Sequence, residues 1–361
     1  MHKFFTSSYD ASIYLQQPDQ NTGRDEILEV GKLYYGSTKD ISRTLLKFDT
    51  GSLKTDIQSI GTGSWKVYLN LKSANSEEIP LEYTIYANAV SQSWTMGTGT
   101  KFDNISTDGV SWKYRNGTST WQDNVIGGTA VFTSGTTGSA NAEGGTWYIT
   151  GSATQSYNYE PDDVRMDVTN IIHQWVSGSL PNNGFIVRHS LDVENDTLDY
   201  GVLKFFSKET NTIYEPKLEL VWDDSSFITG SLTPVTGSAA DASYKVILQN
   251  LKKEYPQNQK VKIRVKGRDM YPLKTFGTTF AYDQTKYLPN GSTYYQLEDY
   301  KTGEIIFPFG EYTKVSCDST SNYFIMDLST LPINRTYVLK LKIIESGIST
   351  IIDEKLTFEI V

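Results

Sequence analysis

Acidic residues supply most of the chemistry this sequence could offer. Glu160-Pro-Asp-Asp163 and Asp223-Asp224 each put carboxylates side by side. Glycoside hydrolysis needs two such groups held in a cleft, one with a raised pKa. Both runs instead adjoin turn residues, where Asp is favoured because its side chain bonds nearby backbone amides. Asp192-Val-Glu-Asn-Asp-Thr-Leu-Asp199 carries oxygen ligands that a hard Ca²⁺ would accept. It lacks the Asp-x-Asp-x-Asp-Gly register and the terminal Glu, so it reads as an exposed acidic turn. His173 and His189 are the only internal histidines, and His173 falls on the polar side of a helical stripe with no partner at ligand spacing. Neither a P-loop nor a Gly-x-Ser-x-Gly elbow is present. The expectation is a protein that is not an enzyme, with no catalytic residue, metal or cofactor.

Two other groups could make contacts rather than do chemistry. Lys260-Val-Lys-Ile-Arg-Val-Lys266, followed by Gly267 and Arg268, alternates basic and apolar residues without a break. It predicts a strand with Val261, Ile263 and Val265 inward and Lys260, Lys262, Arg264, Lys266 and Arg268 forming an outer cationic row. Such rows are mostly solvated faces or protected edges; the sharper reading is a docking surface for an acidic neighbour. The first 223 residues of another copy would serve, since they hold 17 Lys/Arg against 27 Asp/Glu. No aromatic platform interleaves with the charges, which argues against nucleic acid. Trp112, Tyr114 and Trp121 would stack on sugar faces if exposed, although large aromatics more often pack in cores.

The elements that would position these residues are almost all strands. The one clear helix runs from Asp167 to Gly178, with Val168, Ile171, Ile172, Trp175 and Val176 on one stripe and Gly178 placed for a left-handed C-terminal residue. Period-two runs at 12–15, 44–48, 65–71, 81–87, 146–149, 185–188, 203–206 and 218–222 read as strands. Eight or more strands with one helix closing an end predict a jelly-roll-like β-sandwich. All seven tryptophans lie between Trp65 and Trp222, so a domain is expected over 1–223, a polar linker over 224–242, and a second, Ig-like sandwich over 243–361. In that second part Tyr337–Ile343 and Lys355–Ile360 repeat the alternation, either could pair with 260–266, and Asn290-Gly291 marks a hairpin turn. The nearly uncharged, Gly/Thr-rich stretch 125–156 reads as a loop that contacts a partner.

Composition bounds the setting. The lone Cys317 excludes an internal disulfide framework, the first residues show no signal-peptide core, and no apolar run is long enough to span a bilayer. Synthesis and folding in a cytoplasm, without membrane contact, is the expectation.

Several segments in order resemble a known module. They are Asp10-Ala-Ser-Ile13, Asn21-Thr-Gly23, Leu28-Glu-Val-Gly31, Arg43-Thr-Leu-Leu-Lys-Phe-Asp49, Ser93-Trp94-Thr95, Gly109-Val-Ser-Trp112, the helix 167–175, Asn183-Gly-Phe-Ile186, Phe205-Phe-Ser207 and Glu215-Pro-Lys-Leu218. Together, over about residues 10–222, the set resembles the DNRLRE-type β-sandwich, a carbohydrate-binding-module-like fold of cell-surface proteins and of phage virion proteins. The resemblance implies that Arg43 bonds across the sandwich, that Trp94 and Trp112 pack its flank, and that the helix closes one end. The Gly/Thr-rich insert with the 112–121 segment resembles the version in tailed-phage structural proteins, which leave the cell by lysis without an export signal. The implied function is a non-enzymatic virion component of a neck, collar, tail or head, contacting other virion proteins and copies of itself. The alternative it implies is a carbohydrate-binding module that attaches to a host-surface glycan.

Overall fold

The computed structural model describes residues 1–61, 64–77, 79–122, 131–132, 143–158, 163–271 and 284–361. It is nearly all β, and its curled antiparallel sheets form sandwich-like arrangements. No helix among the described residues is long and apolar enough to cross a membrane. The chain divides into two compact units. The larger takes Phe4–Gly61 and Lys66–Leu220; the other takes Met1–Lys3, Ser64 and Trp65, and Val221–Val361.

In the larger unit a continuous curled sheet runs in the order Val131–Phe132, Trp147–Asn158, Glu82–Val90, Phe185–Arg188, Thr38–Phe48, His2–Tyr14, Lys217–Trp222, Trp65–Leu71 and Val164–Asp167. Ile27–Tyr35 pairs with Thr38–Phe48 as a hairpin and carries Gly201–Phe206 on its other side. In Trp65–Leu71, Val67, Leu69 and Leu71 are buried while the residues between them are more exposed, so one face of that strand is driven inside. All eight anticipated strands are present. Ala11, Ile13, Leu45, Trp94, Val110, Trp112, Trp121, Trp147 and Ile186 are members of one core cluster.

The expected helix, α2 (Thr169–Ser177), buries Ile171, Ile172 and Trp175 and stops at Gly178, whose φ of 79° is left-handed. Trp175 packs on Phe185 with ring centroids 4.6 Å apart. Among the described residues two further α-helices correct the expectation of one. The first, α1 (Gly51–Ile60), buries only Leu53 and Ile57, a stripe too narrow to stand out in a Ser/Thr-rich segment. The second, α3 (Leu191–Asn195), is held by Ser190, whose hydroxyl accepts from the Val193 amide at 3.1 Å.

The second unit is a sandwich of two sheets. One runs Thr233–Pro234, Lys286–Tyr287, Lys260–Asp269, Asn322–Asp327, Ser316–Cys317, with Tyr244–Gln249 also on Lys260–Asp269. The other runs Glu254–Tyr255, Thr357–Ile360, Arg335–Glu345, Thr293–Asp299, Ile305–Phe307, with Ile348–Ile352 on Arg335–Glu345. Tyr295 of the second sheet stacks on Phe324 of the first at 4.2 Å, which marks the packed interior.

Three readings are corrected here. The strand at 260–266 pairs with neither 337–343 nor 355–360, which pair with each other in the opposite sheet; its partners are Asn322–Asp327 and Tyr244–Gln249. Asn290-Gly291 does not close a hairpin, because Lys286–Tyr287 and Thr293–Asp299 belong to different sheets. The stretch 224–242 is not a free linker. The amides of Ile228 and Val235 donate to Cys317 and Tyr287 carbonyls at 2.9 and 3.0 Å, and Thr233–Pro234 runs parallel to Lys286–Tyr287.

Candidate functional site

The side chains singled out for chemistry are mostly engaged within the fold. Asp223 pairs with Lys314 at 2.9 Å, Asp224 with the Met1 amino group at 2.9 Å, and Asp163 with Lys72 at 2.8 Å. Glu160 and Asp162 lie outside the described residues. The run 192–199, read as an exposed turn, instead directs Glu194 inward to Arg43 and Asp196 to the buried Lys32 at 2.7 Å, while Asp199 accepts from the Tyr34 amide. Three of its carboxylates, Glu194, Asp196 and Asp199, therefore face protein cations and donors rather than a common ligand position, while Asp192 is exposed. His173 is exposed on α2. Among the described residues no group of three His, Cys, Asp or Glu converges as a metal site would require.

Arg43 lies at the centre of the larger core. Its guanidinium bonds both carboxylate oxygens of Glu194, Nε to Oε1 at 3.0 Å, gives Nη1 to the Gly144 carbonyl, and sits 4.8 Å from the Trp112 ring and 5.1 Å from the Trp147 ring. Arg188 lies over the same Trp147 ring, 4.2 Å from its centroid, and donates to the His189 carbonyl at 2.7 Å. Burial, reinforced by the Arg43 charge, brings the Arg188 pKa down to about 10. His189 is also buried, and desolvation holds its pKa down at about 4.

The aromatic and basic candidates do not form a surface site. Trp112 and Trp121 are buried, and the Trp121 indole donates to the Ser111 carbonyl at 3.2 Å, so neither ring is open to a sugar. Tyr114 is half-buried in the small 111–121 hairpin, with Lys113 5.1 Å from its ring. In the basic row, Lys260 reaches Asp327 at 3.9 Å, and Lys262 and Arg264 both bind Asp318, at 2.8 and 3.0 Å. Arg264, with Lys262, holds the Asp318 carboxyl far below the usual carboxylate range. Lys266 is buried and Arg268 half-buried. The row is thus largely neutralised by its own chain, which corrects the picture of an open cationic face. Residues 125–130 and 133–142 of the 125–156 stretch lie outside the described residues; its end belongs to the strand Trp147–Asn158, paired with Glu82–Val90.

What the structure does bring together is an open groove of about 530 Å³ on the larger unit, lined by Tyr9, Lys47, Trp94, Met96, Gly97, Thr98 and Asp108 among others. Tyr9 and Lys47 are cross-strand partners, and a register shift between Ser7 and Tyr9 marks an irregularity of the kind that re-aims a side chain. Tyr9 stays 45% exposed, its ring edge-on to Trp94 at 6.3 Å and 5.8 Å from the Lys47 ammonium. Trp94 is fixed beneath by its indole bond to the Asn183 carbonyl at 2.8 Å.

One wall of the groove is the base of the 98–108 loop, and a single buried side chain organises it. Asn21 donates to the Met96 and Val110 carbonyls at 2.6 and 2.8 Å and accepts from the Gly99 and Gly23 amides at 2.8 and 3.3 Å, meeting its full bonding capacity. Gly97 has φ +81°, and a Cβ there would fall 2.3 Å from the Asn21 side-chain oxygen. Asp108 clamps the loop by accepting from the Thr98 hydroxyl and amide at 2.6 and 3.1 Å and from Ser106 at 2.8 Å; these bonds keep its carboxyl ionised below the usual range. Lys101 pairs with Glu29 at 2.6 Å, and its amide donates to Asp25 at 3.0 Å. Despite this framework, Phe102 is 89% and Ile105 73% exposed.

Sequence reasoning missed this site because its residues are scattered from position 9 to position 108. The only local signals were Asn21-Thr-Gly23 and the glycines at 97, 99 and 109. A scan against family models finds no match to the chain, and no curated protein matches it.

Proposed function

We propose that the chain is a non-enzymatic structural protein of a tailed-phage virion, a neck, collar, tail or head-attached component that works through contacts with other virion proteins and with copies of itself. The observation that supports a contact role is the 98–108 loop, locked by side-chain bonds at its base yet holding Phe102 and Ile105 in solvent. Rigid presentation of large apolar side chains lowers the entropic cost of association and is the pattern of an interaction hot spot. The phage assignment rests on the ordered motif set from Asp10 to Leu218. Mass spectrometry and cryo-microscopy of purified particles test it: the chain is expected at a fixed copy number in the virion, and its absence from particles overturns the reading.

A second reading, attachment to a host-surface glycan, draws on Tyr9 alone, a half-exposed ring in an open groove beside Lys47. A glycan array in which wild type binds and Tyr9→Ala does not would favour it; an array without signal removes it.

A further inference from the structure

We infer that the groove beside Tyr9 receives the 101–106 loop of a second copy of this chain, each loop entering the other copy's groove in a two-fold dimer. The inference rests on the contact role proposed above and names its partner. Three observations carry it. Phe102 and Ile105 project from a loop whose base is fixed by Asn21, Asp108 and Lys101, so docking freezes little backbone motion. The groove is lined by the half-exposed Tyr9 ring above the buried Trp94 and Met96, and its wall is the base of that same loop, through Thr98 and Asp108. Knob and groove therefore share one patch, as an isologous contact requires when residue i meets j and j meets i.

Charge selects the occupant. Lys47 is half-buried at the groove and has no ion pair among the described residues. Asp103, exposed beside Phe102, is held by the Thr100 hydroxyl at 2.6 Å. A docked loop brings Asp103 of one copy to Lys47 of the other. An anionic bilayer suits the loop poorly, because Asp103 lies between its two apolar side chains and Asp108 follows them.

Sedimentation velocity of the full chain from about 1 to 100 µM at physiological salt tests the assignment. Wild type is expected to shift from monomer to dimer with no larger species. Phe102→Ser with Ile105→Ser should weaken the dimer at least ~10-fold while leaving the circular dichroism spectrum unchanged. Lys47→Glu should weaken it as well, and adding Asp103→Lys should restore it to within ~3-fold of wild type. A wild-type monomer at the highest concentration overturns the inference, as does a dimer indifferent to the Phe102/Ile105 pair. Flotation of wild type, but not of that double variant, with phosphatidylglycerol vesicles overturns it in favour of a lipid surface. Particle composition separates this from the broader reading. A dimer of a chain that no virion contains sinks the virion role alone, and a virion-borne chain that never dimerises sinks the groove assignment alone.

Discussion

Arg43 and Glu194, 151 residues apart, form a two-pronged ion pair with both side chains sealed from solvent. It ties α3 to the middle of the curled sheet and leaves Arg188 as a second buried cation nearby. Removing one partner of a buried pair strands the other charge in a poorly solvated site, at a cost of about 3–5 kcal/mol. Glu194→Ala is therefore expected to destabilise the larger unit by about that amount in urea unfolding, because it leaves Arg43 and Arg188 facing each other. Arg43→Met with Glu194→Leu should cost clearly less than Glu194→Ala, and equal losses would show that the charge is not what matters.

Two buried titrating groups in the larger unit give opposite pH slopes. His189 has its pKa lowered from 6.5 to about 4, so the folded state binds fewer protons than the unfolded chain between those values. Its contribution is complete above pH ~6.5 and is lost on acidification towards pH ~4. Asp10 is raised from 3.8 to about 7 by burial, opposed by the Lys208 amide bond at 2.6 Å. Its folded state binds the extra proton, so stability is greatest below pH ~4 and falls as pH rises to ~7. His189→Leu should flatten the acid-side loss, and Asp10→Asn should gain stability at pH ~8 but not at pH ~4, in denaturant titrations across that range. Unchanged slopes in both variants would contradict the burial argument.

The loop at the groove depends on Asn21. Asn21→Ala removes four hydrogen bonds to buried backbone groups and is expected to cost about 2–4 kcal/mol. Gly97→Ala combines a left-handed φ with overlap on Asn21 and should cost a similar amount. Hydrogen exchange should show lost protection at Gly99 and Gly23, whose amides donate to Asn21, in both variants, with the second unit unaffected. Retained protection at Gly99 in Asn21→Ala would remove Asn21 from its organising role.

The basic row should respond unevenly. Arg264→Ala breaks a bidentate pair with Asp318 that is about one-quarter exposed, and is expected to cost about 1 kcal/mol. Lys260→Ala should fall within ~0.5 kcal/mol of wild type, because its contact to Asp327 is long and Lys260 is solvated. Thermal denaturation at low and high salt separates the two, and equal effects would return the row to a uniform solvated face.

The strands were legible where alternation is clean, as at Trp65–Leu71, and where a short β-branched and aromatic run is buried throughout, as at Phe185–Arg188; the bounds of both match the sequence pattern. Ile27–Tyr35 was not, because its inward positions run Leu28, Val30, Lys32, and a buried lysine breaks the apolar signal. Gly31 added to the confusion, although a Cβ there would meet the Gly201 carbonyl at 2.8 Å, so close strand approach requires the glycine. For Trp112 and Trp121 the sequence left a core place and a sugar-stacking place both open; both are buried, Trp112 beside the Arg43 guanidinium and Trp121 with its indole bonded to the Ser111 carbonyl. The groove was invisible to local patterns because cross-strand register, not sequence distance, sets Tyr9 against Lys47.

The strand His2–Tyr14 lies in the sheet between Thr38–Phe48 and Lys217–Trp222. A ribosome must therefore emit more than two hundred residues before the opening strand gains its second neighbour. Until then one flank of the nascent sheet is an unguarded edge, open to wrong pairings with other emerging chains. Closure of the larger unit is thus a late event in synthesis, and a ribosome-stalled fragment ending short of Lys217 should be bound by chaperones that release the chain extended past Trp222.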